Sequence, residues 1–162
     1  MLNSPAVVSA LAVGQRVAAN ATALLIRLTI GQAFLLTGLG KLRNHERTAD
    51  FFASLGIPAA ELQAWFIGGL EMIGGGLLLL GLVTRPIATL LLGTMAVAIL
   101  TADRADFRGA LALSPEKGLT DVVPWMYGLL LLALIAHGAG RLSLDRLIFA
   151  KKQPPGITAE GC

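Results

Sequence analysis

Four long apolar segments, separated by short polar connections, dominate the chain. They run over residues 21–42, 64–83, 86–102 and 122–139. Apolar helices of roughly 17 to 25 residues can cross the ~30 Å hydrocarbon layer of a bilayer. The pattern therefore predicts an all-α fold, an integral membrane four-helix bundle with short interfacial helices.

The overall composition also favours a membrane location. The chain is 55% hydrophobic and 14% charged, whereas soluble domains contain about 25% charged residues. The net charge of +3 is spread over several loops, without the clustered Lys and Arg that a nucleic-acid surface needs. We therefore expect the lipid bilayer, and no nucleic acid, among the partners.

Shorter segments connect or flank the predicted spans. Residues 1–20 are interpreted as an N-terminal interfacial segment, because no basic residue precedes their apolar stretch as in a signal peptide. Residues 21–149 form the predicted four-helix transmembrane domain, and residues 150–162 a flexible C-terminal tail. Within the domain, Phe51, Phe52 and Leu55 have the spacing of a short interfacial helix. Residues 102–121 are interpreted as a mixed-charge loop, and Thr84 as the cap of the third span.

The second span contains one charged residue in its middle, Glu71. A carboxylate at the centre of a bilayer costs about 2.5 to 3.5 kcal/mol on insertion scales, so it needs a partner, a water pocket or protonation. Five glycines surround it, Gly68, Gly69, Gly74, Gly75 and Gly76. Such residues let a second helix approach closely and pack around a polar group. Glu71 is therefore the candidate catalytic residue.

The first span carries a stripe of charge and glycine on one helical face, formed by Arg27, Gly31, Phe34, Gly38 and Lys41. A face of this kind is expected to contact protein rather than lipid. For Arg27 the alternative is that its side chain extends to the nearer membrane surface. For Lys41 the alternative is an interfacial anchor at the helix end.

Helix geometry gives an expected partner for Glu71. If residues 40 and 64 lie at one surface, Glu71 is level with Ala33, and Gln32 is nearest in depth. Lys41 then lies about 12 Å toward that surface and Arg27 about 9 Å the other way. Side chains lean toward the N-terminus of their own helix, which tilts Lys41 and Glu71 toward one another. We expect Glu71 to be buried and bonded to a polar group of the first span.

The sequence contains no motif for a resident electron carrier. Its one cysteine, Cys162, excludes an intrachain disulfide and a Cys-X-X-Cys pair, and no metal, haem, iron–sulfur or nucleotide motif is present. Any redox chemistry must therefore use a bound cofactor or a partner.

Three stretches together resemble the DoxX family: RLTIGQAFLLTGLGKL from Arg27 to Leu42, FASLGIP from Phe52 to Pro58, and GGLEMIGGGLLLLGLVTR from Gly68 to Arg85. The closing GRLSLDR from Gly140 to Arg146 is similar to the usual end of the family. The resemblance covers residues 24–147. It implies a small four-helix protein of the bacterial inner membrane, and relatives linked to thiosulfate oxidation pass electrons to quinone.

Two functions remain open. The first is a membrane subunit of a redox complex that passes electrons to quinone in sulfur-compound or related oxidation. Glu71 would relay protons, and the candidate cofactor-binding residues are Arg27, Gln32, Lys41 and Arg85. The second is a non-catalytic anchor or assembly partner of an oxidoreductase complex; a small-molecule transporter is a minor third reading.

Under either of the first two functions, a protein subunit or a second copy is an expected partner. The basic residues close to the C-terminal end of the bundle place both termini in the cytoplasm.

Overall fold

The computed structural model describes residues 5–113, 115, 117–140 and 143–145, and within these ranges it contains helices and no strand. The order of elements is α1 (Pro5–Arg43), α2 (His45–Ser54), α3 (Ala60–Leu80), α4 (Thr84–Leu100), α5 (Arg104–Leu111) and α6 (Val123–His137), with a short 3-10 turn at Leu119–Asp121 before α6. The prediction of an all-α fold is confirmed.

The antiparallel pair α1 and α3 forms the main packing contact. The helices touch backbone to backbone, because a Cβ atom at Gly38 would lie 2.7 Å from the Gly68 carbonyl oxygen, and one at Gly75 would lie 2.6 Å from that of Gly31. Only glycine permits this approach. These contacts fix how far α1 is displaced along α3.

The helices α1, α3, α4 and α6 pack in a ring, each against two others. The side chains at its centre are apolar and nearly inaccessible: Ile30, Phe34, Leu78, Ala88, Leu91, Met95, Leu131 and Leu134. Tyr127 of α6 adds a tilted aromatic contact to Phe34, with ring centroids 5.7 Å apart. The predicted stripe on the first span faces this interior, since Arg27, Gly31, Phe34 and Gly38 are buried.

Among the described residues, two helices are long and apolar enough to cross a membrane, the part of α1 from Leu11 to Arg43 and the whole of α3. The helices α4 and α5 would supply a third span if taken together, although they meet at a bend of 83°. The apolar α6 has 15 residues, and a membrane crossing by α6 stays a prediction.

Several boundaries differ from the sequence prediction. The second span is helical from Ala60 to Leu80 rather than over residues 64–83. The first helix begins at Pro5 rather than Ala21, because nothing in residues 5–20 interrupts a helix once it continues from the packed part. Part of the predicted loop 102–121 is helix α5. Asp106 of this helix forms an ion pair with Lys117 in the segment that follows it. The predicted C-terminal tail lies outside the described residues.

Candidate functional site

A buried ion pair joins α1 to α3 near the middle of α3. The Glu71 side chain is 2% exposed, whereas that of Lys41 is 29% exposed. Lys41 Nζ donates to both carboxylate oxygens of Glu71, at 2.5 Å to Oε1. The prediction that Glu71 is buried and bonded to a polar group of the first span is confirmed.

The glycine contacts explain why Lys41, rather than Gln32, is the partner. A Cβ atom at Gly38 would touch the backbone of Gly68 and Met72, so Glu71 lies beside Gly38 and not level with Ala33. The expected alignment of α1 along α3 was therefore wrong by about one helical turn. Lys41 is only about one turn beyond that level and leans back toward it, and the side chain of Gln32 is exposed.

The ion pair lines a pocket of about 540 Å³. Its walls are mainly apolar and come from α2 and the turn after it, from α3 and from α4; they include Phe51, Phe52, Leu55, Ile57, Ile67, Met95, Val97 and Ala98. A volume of roughly 300 to 1,000 Å³ with few polar groups is typical of a site for a small organic molecule. This pocket is the candidate functional site.

Other polar side chains of the pocket lie mostly toward the end where α3 begins. Gln63, Thr101 and Asp103 line that end, about 12 Å along α3 from Glu71. Deeper in the pocket, the buried Thr94 hydroxyl donates to the Leu91 carbonyl oxygen at 2.8 Å. The deep part of the pocket therefore offers a ligand chiefly Lys41 and Glu71 for polar contacts.

Arg27 belongs to a second polar cluster, about 21 Å along α1 from Lys41. Its guanidinium is buried, with Nε donating to the Leu78 carbonyl oxygen at 3.1 Å and Nη1 donating to that of Ala139 at 2.5 Å. Asp145 attracts it electrostatically. The Arg27 side chain is thus bonded within the protein, near the ends of α3 and α6, and the structure does not bring Arg27 together with Glu71.

Arg85 lies at the same end of the molecule as Arg27. Its side chain is exposed, and its Nη2 is 3.4 Å from the Ala136 carbonyl oxygen at the end of α6. It is therefore remote from the Lys41–Glu71 pocket. Of the four candidate cofactor-binding residues, only Lys41 lines the pocket with Glu71.

Sequence reasoning missed Asp145. Its carboxylate accepts hydrogen bonds from the backbone N–H groups of Val83 at 2.6 Å and Thr84 at 3.0 Å, and so caps the N-terminus of α4. Thr84 does not cap α4, contrary to prediction, because Val83 is the capping position and Asp145 supplies the acceptor. The available signal was the position of Asp145 in the closing GRLSLDR stretch, which does not indicate its contacts.

Comparison with known proteins gives consistent matches. The sequence model of the DoxX family matches residues 22–104. "Putative oxidoreductase CatD" of Bacillus subtilis is 33% identical over 137 residues, which cover 84% of this chain and 93% of that protein. "Uncharacterized membrane protein Rv3486" of Mycobacterium tuberculosis is 36% identical over 126 residues, covering 75% of this chain and 77% of that protein.

A third relative is "Inner membrane protein YphA" of Escherichia coli, which is 33% identical over 125 residues, covering 76% of this chain and 87% of that protein. No solved structure matches this chain significantly. Because the family model spans half of the sequence and the relatives align over most of it, this chain belongs to the DoxX family of membrane proteins.

Proposed function

We propose that the protein is an inner-membrane subunit of an oxidoreductase complex and binds a quinone in the pocket beside Lys41 and Glu71. The observation that carries this proposal is the position of one buried carboxylate–ammonium pair on the wall of an otherwise mainly apolar pocket. Ionisable groups inside a membrane are costly, and they commonly mark ligand or proton pathways.

The dimensions and donors of the pocket fit a quinone ring. A cavity of about 540 Å³ holds a one- or two-ring molecule against Phe52, Ile67 and Met95. Lys41 is an ammonium with three N–H donors, and two of its hydrogen bonds go to Glu71. The third N–H is available for a carbonyl oxygen of the ligand.

Lys41 and Glu71 can also supply protons. A quinone, when bound, accepts two electrons and two protons. Lys41 Nζ is positioned to hold a proton at the ligand oxygen, while Glu71 orients the ammonium and exchanges a proton with it. General acid–base groups of this kind contribute about 100-fold or more to a rate.

The electrons must come from a partner subunit, since the sequence has one cysteine and no haem-ligating pair. The printed name of the Bacillus relative, "Putative oxidoreductase CatD", supports a redox role. The name of the Escherichia relative supports the bacterial inner membrane as the location.

The test compares Glu71→Gln with Glu61→Gln. Glu61 is exposed on the same helix and lies outside this pocket. Quinone retained in a mild-detergent extract is measured by organic extraction and mass spectrometry, and quinone reduction is measured in membranes that contain the partner. We expect Glu71→Gln to retain quinone and to lower reduction about 100-fold, because an amide does not exchange protons near neutral pH. Glu61→Gln should behave as the unsubstituted protein.

The second candidate is a non-catalytic anchor of an oxidoreductase complex. This role is favoured by the two hydrogen bonds that Lys41 donates to Glu71, because the pair then needs no ligand to balance its charges. Under this function the purified protein carries no quinone, and Glu71→Gln leaves reduction by the complex unchanged. Either result would replace the first proposal.

A further inference from the structure

The wall of the Lys41–Glu71 pocket is incomplete between α2 and α4. The helix α2 packs mainly on α3 and has little contact with α4. Phe51 of α2 and Val97 of α4 both line the pocket, yet 51% of Phe51 and 52% of Val97 are exposed. The same side chains therefore face the pocket and the surroundings of the protein.

The exposed surface of α4 at this point is apolar, which favours contact with lipid over contact with water. Val97 lies on the exposed apolar face of α4, together with Leu90 and Leu100. The polar residues of α2, Glu46, Arg47 and Asp50, are exposed, as expected for a helix at the membrane interface. The gap thus lies between the apolar exposed face of α4 and a helix whose exposed face is polar.

We propose that the gap between Phe51 and Val97 is a lateral opening through which a lipid-dissolved ligand reaches the pocket. The ligand has a polar ring and a long apolar tail. The ring moves inward toward Lys41, while the tail stays between Phe51 and Val97 and extends into the bilayer. This inference deepens the proposed function, since it rests on the same pocket and defines the class of ligand by its tail.

The competing route is from water. The pocket also reaches Gln63, Thr101 and Asp103 at the end where α3 begins, and a water-soluble ligand would pass these polar groups. Ile67, which is one turn from Gln63 and one turn from Glu71 on α3, lies between this polar end and the ion pair. Moving a polar ring through the lipid-side gap requires passage between two apolar side chains, and its tail never has to enter water.

The test uses a thiol inside the pocket and needs no quinone. Ala98 lines the pocket and is partly buried, so Ala98→Cys, in a chain with Cys162→Ser, places a probe there. Reaction rates in membranes are compared for N-dodecylmaleimide, which has a cyclic dicarbonyl head and a C12 tail, and for a charged, water-soluble maleimide. We expect the tailed reagent to react faster by an order of magnitude, after normalisation to the same thiol in unfolded protein.

Two further substitutions locate the route. Val97→Trp should slow the tailed reagent severalfold by filling the gap, and Phe51→Ala should speed it. Leu90→Trp is the matched control, because Leu90 is 53% exposed on the same face of α4 and lies outside the pocket. It should have no effect.

A faster reaction with the charged reagent, or equal effects of Val97→Trp and Leu90→Trp, would overturn the lateral opening. Quinone binding does not enter this measurement. A protein that shows the opening but carries no quinone would therefore refute the proposed ligand alone, and bound quinone without the opening would refute this inference alone.

Discussion

The Glu71 carboxylate depends on Lys41 for its stability in an apolar environment. Two charges removed from water lose hydration, and their attraction offsets that loss only when the geometry is good. Here one ammonium contacts both carboxylate oxygens. Lys41 keeps part of its surface open to the pocket, so its own hydration loss is smaller than that of Glu71.

Replacing Lys41 alone should therefore lower the free energy of unfolding more than replacing both Lys41 and Glu71. We expect Lys41→Met to lower the free energy of unfolding by about 3 kcal/mol, because it leaves a buried carboxylate without a partner. The double variant with Glu71→Gln should recover at least about 1 kcal/mol of that loss. Reversible unfolding in detergent measures all three proteins, with the exposed Arg43→Met as a control. A double variant no more stable than Lys41→Met would contradict this account.

Arg27 should contribute to stability and not to ligand binding. Its guanidinium bonds to carbonyl oxygens of α3 and of the segment after α6, and hydrogen bonds to charged groups contribute about 1.5 to 3 kcal/mol each. We expect Arg27→Met to lower the unfolding free energy by about 2 kcal/mol or more. Retained quinone per folded molecule should stay unchanged, because the pocket lies about 21 Å away along α1. Loss of quinone from a folded Arg27→Met protein would be the contrary result.

For single residues, the sequence indicates that Glu71 needs a partner, since a carboxylate within an apolar span is costly to bury. It does not identify Lys41 uniquely, because the choice depends on a one-turn displacement between helices. The contacts of Asp145 are beyond sequence reasoning, since they join positions 61 and 62 residues apart in the chain.

The elements α1 and α3 are aligned by glycine, and the ion pair follows from that alignment. Gly38 and Gly75 contact the backbone of the opposite helix, whereas a Cβ atom at Gly40 or Gly76 would have no neighbour within 4 Å. The chain thus offers two contact glycines and two matched controls on the same helices.

We expect Gly38→Ala and Gly75→Ala to destabilise the protein by about 3 kcal/mol, because overpacking here would force two backbones apart. Gly40→Ala and Gly76→Ala should be neutral or stabilising by up to about 1 kcal/mol, since alanine favours helix. Unfolding in detergent measures the four variants. Similar losses for contact and control positions would show that helix propensity, and not close approach, sets the cost.

The apolar pattern predicts the bounds of α6 to within two residues. It places the second span at residues 64–83, whereas α3 runs from Ala60 to Leu80. The apolar pattern does not predict α5, because its eight residues include Arg104, Asp106 and Arg108 and resemble a polar loop. The pattern also misplaces the start of α1. No helix-breaking residue immediately precedes Ala21, so the sequence gives no sign of whether the helix begins there or earlier.

For the whole molecule, the ring of helices predicts which connections share a side of the membrane. The α1–α2 and α5–α6 connections lie together, opposite the turn between α3 and α4. The predicted cytoplasmic location of both termini leads us to expect that Arg47→Cys and Thr120→Cys react with an impermeant thiol reagent in spheroplasts, in a chain with Cys162→Ser. Arg85→Cys should react only after permeabilisation. Labelling of Thr120→Cys on the side of Arg85 would show that α4 does not cross the membrane.

The bonds of Arg27 have a consequence for the order of synthesis. Arg27 lies in the first helix that the structure describes, and one of its carbonyl partners, Ala139, follows α6, the last described helix. Until about 110 further residues have been translated, that charge has no complete set of acceptors within the chain. The nascent first helix must therefore remain in contact with water, headgroups or the insertion machinery until α6 arrives. Biogenesis is then cooperative from α1 to Ala139, and chains truncated before Ala139 should be substrates for membrane quality-control proteases.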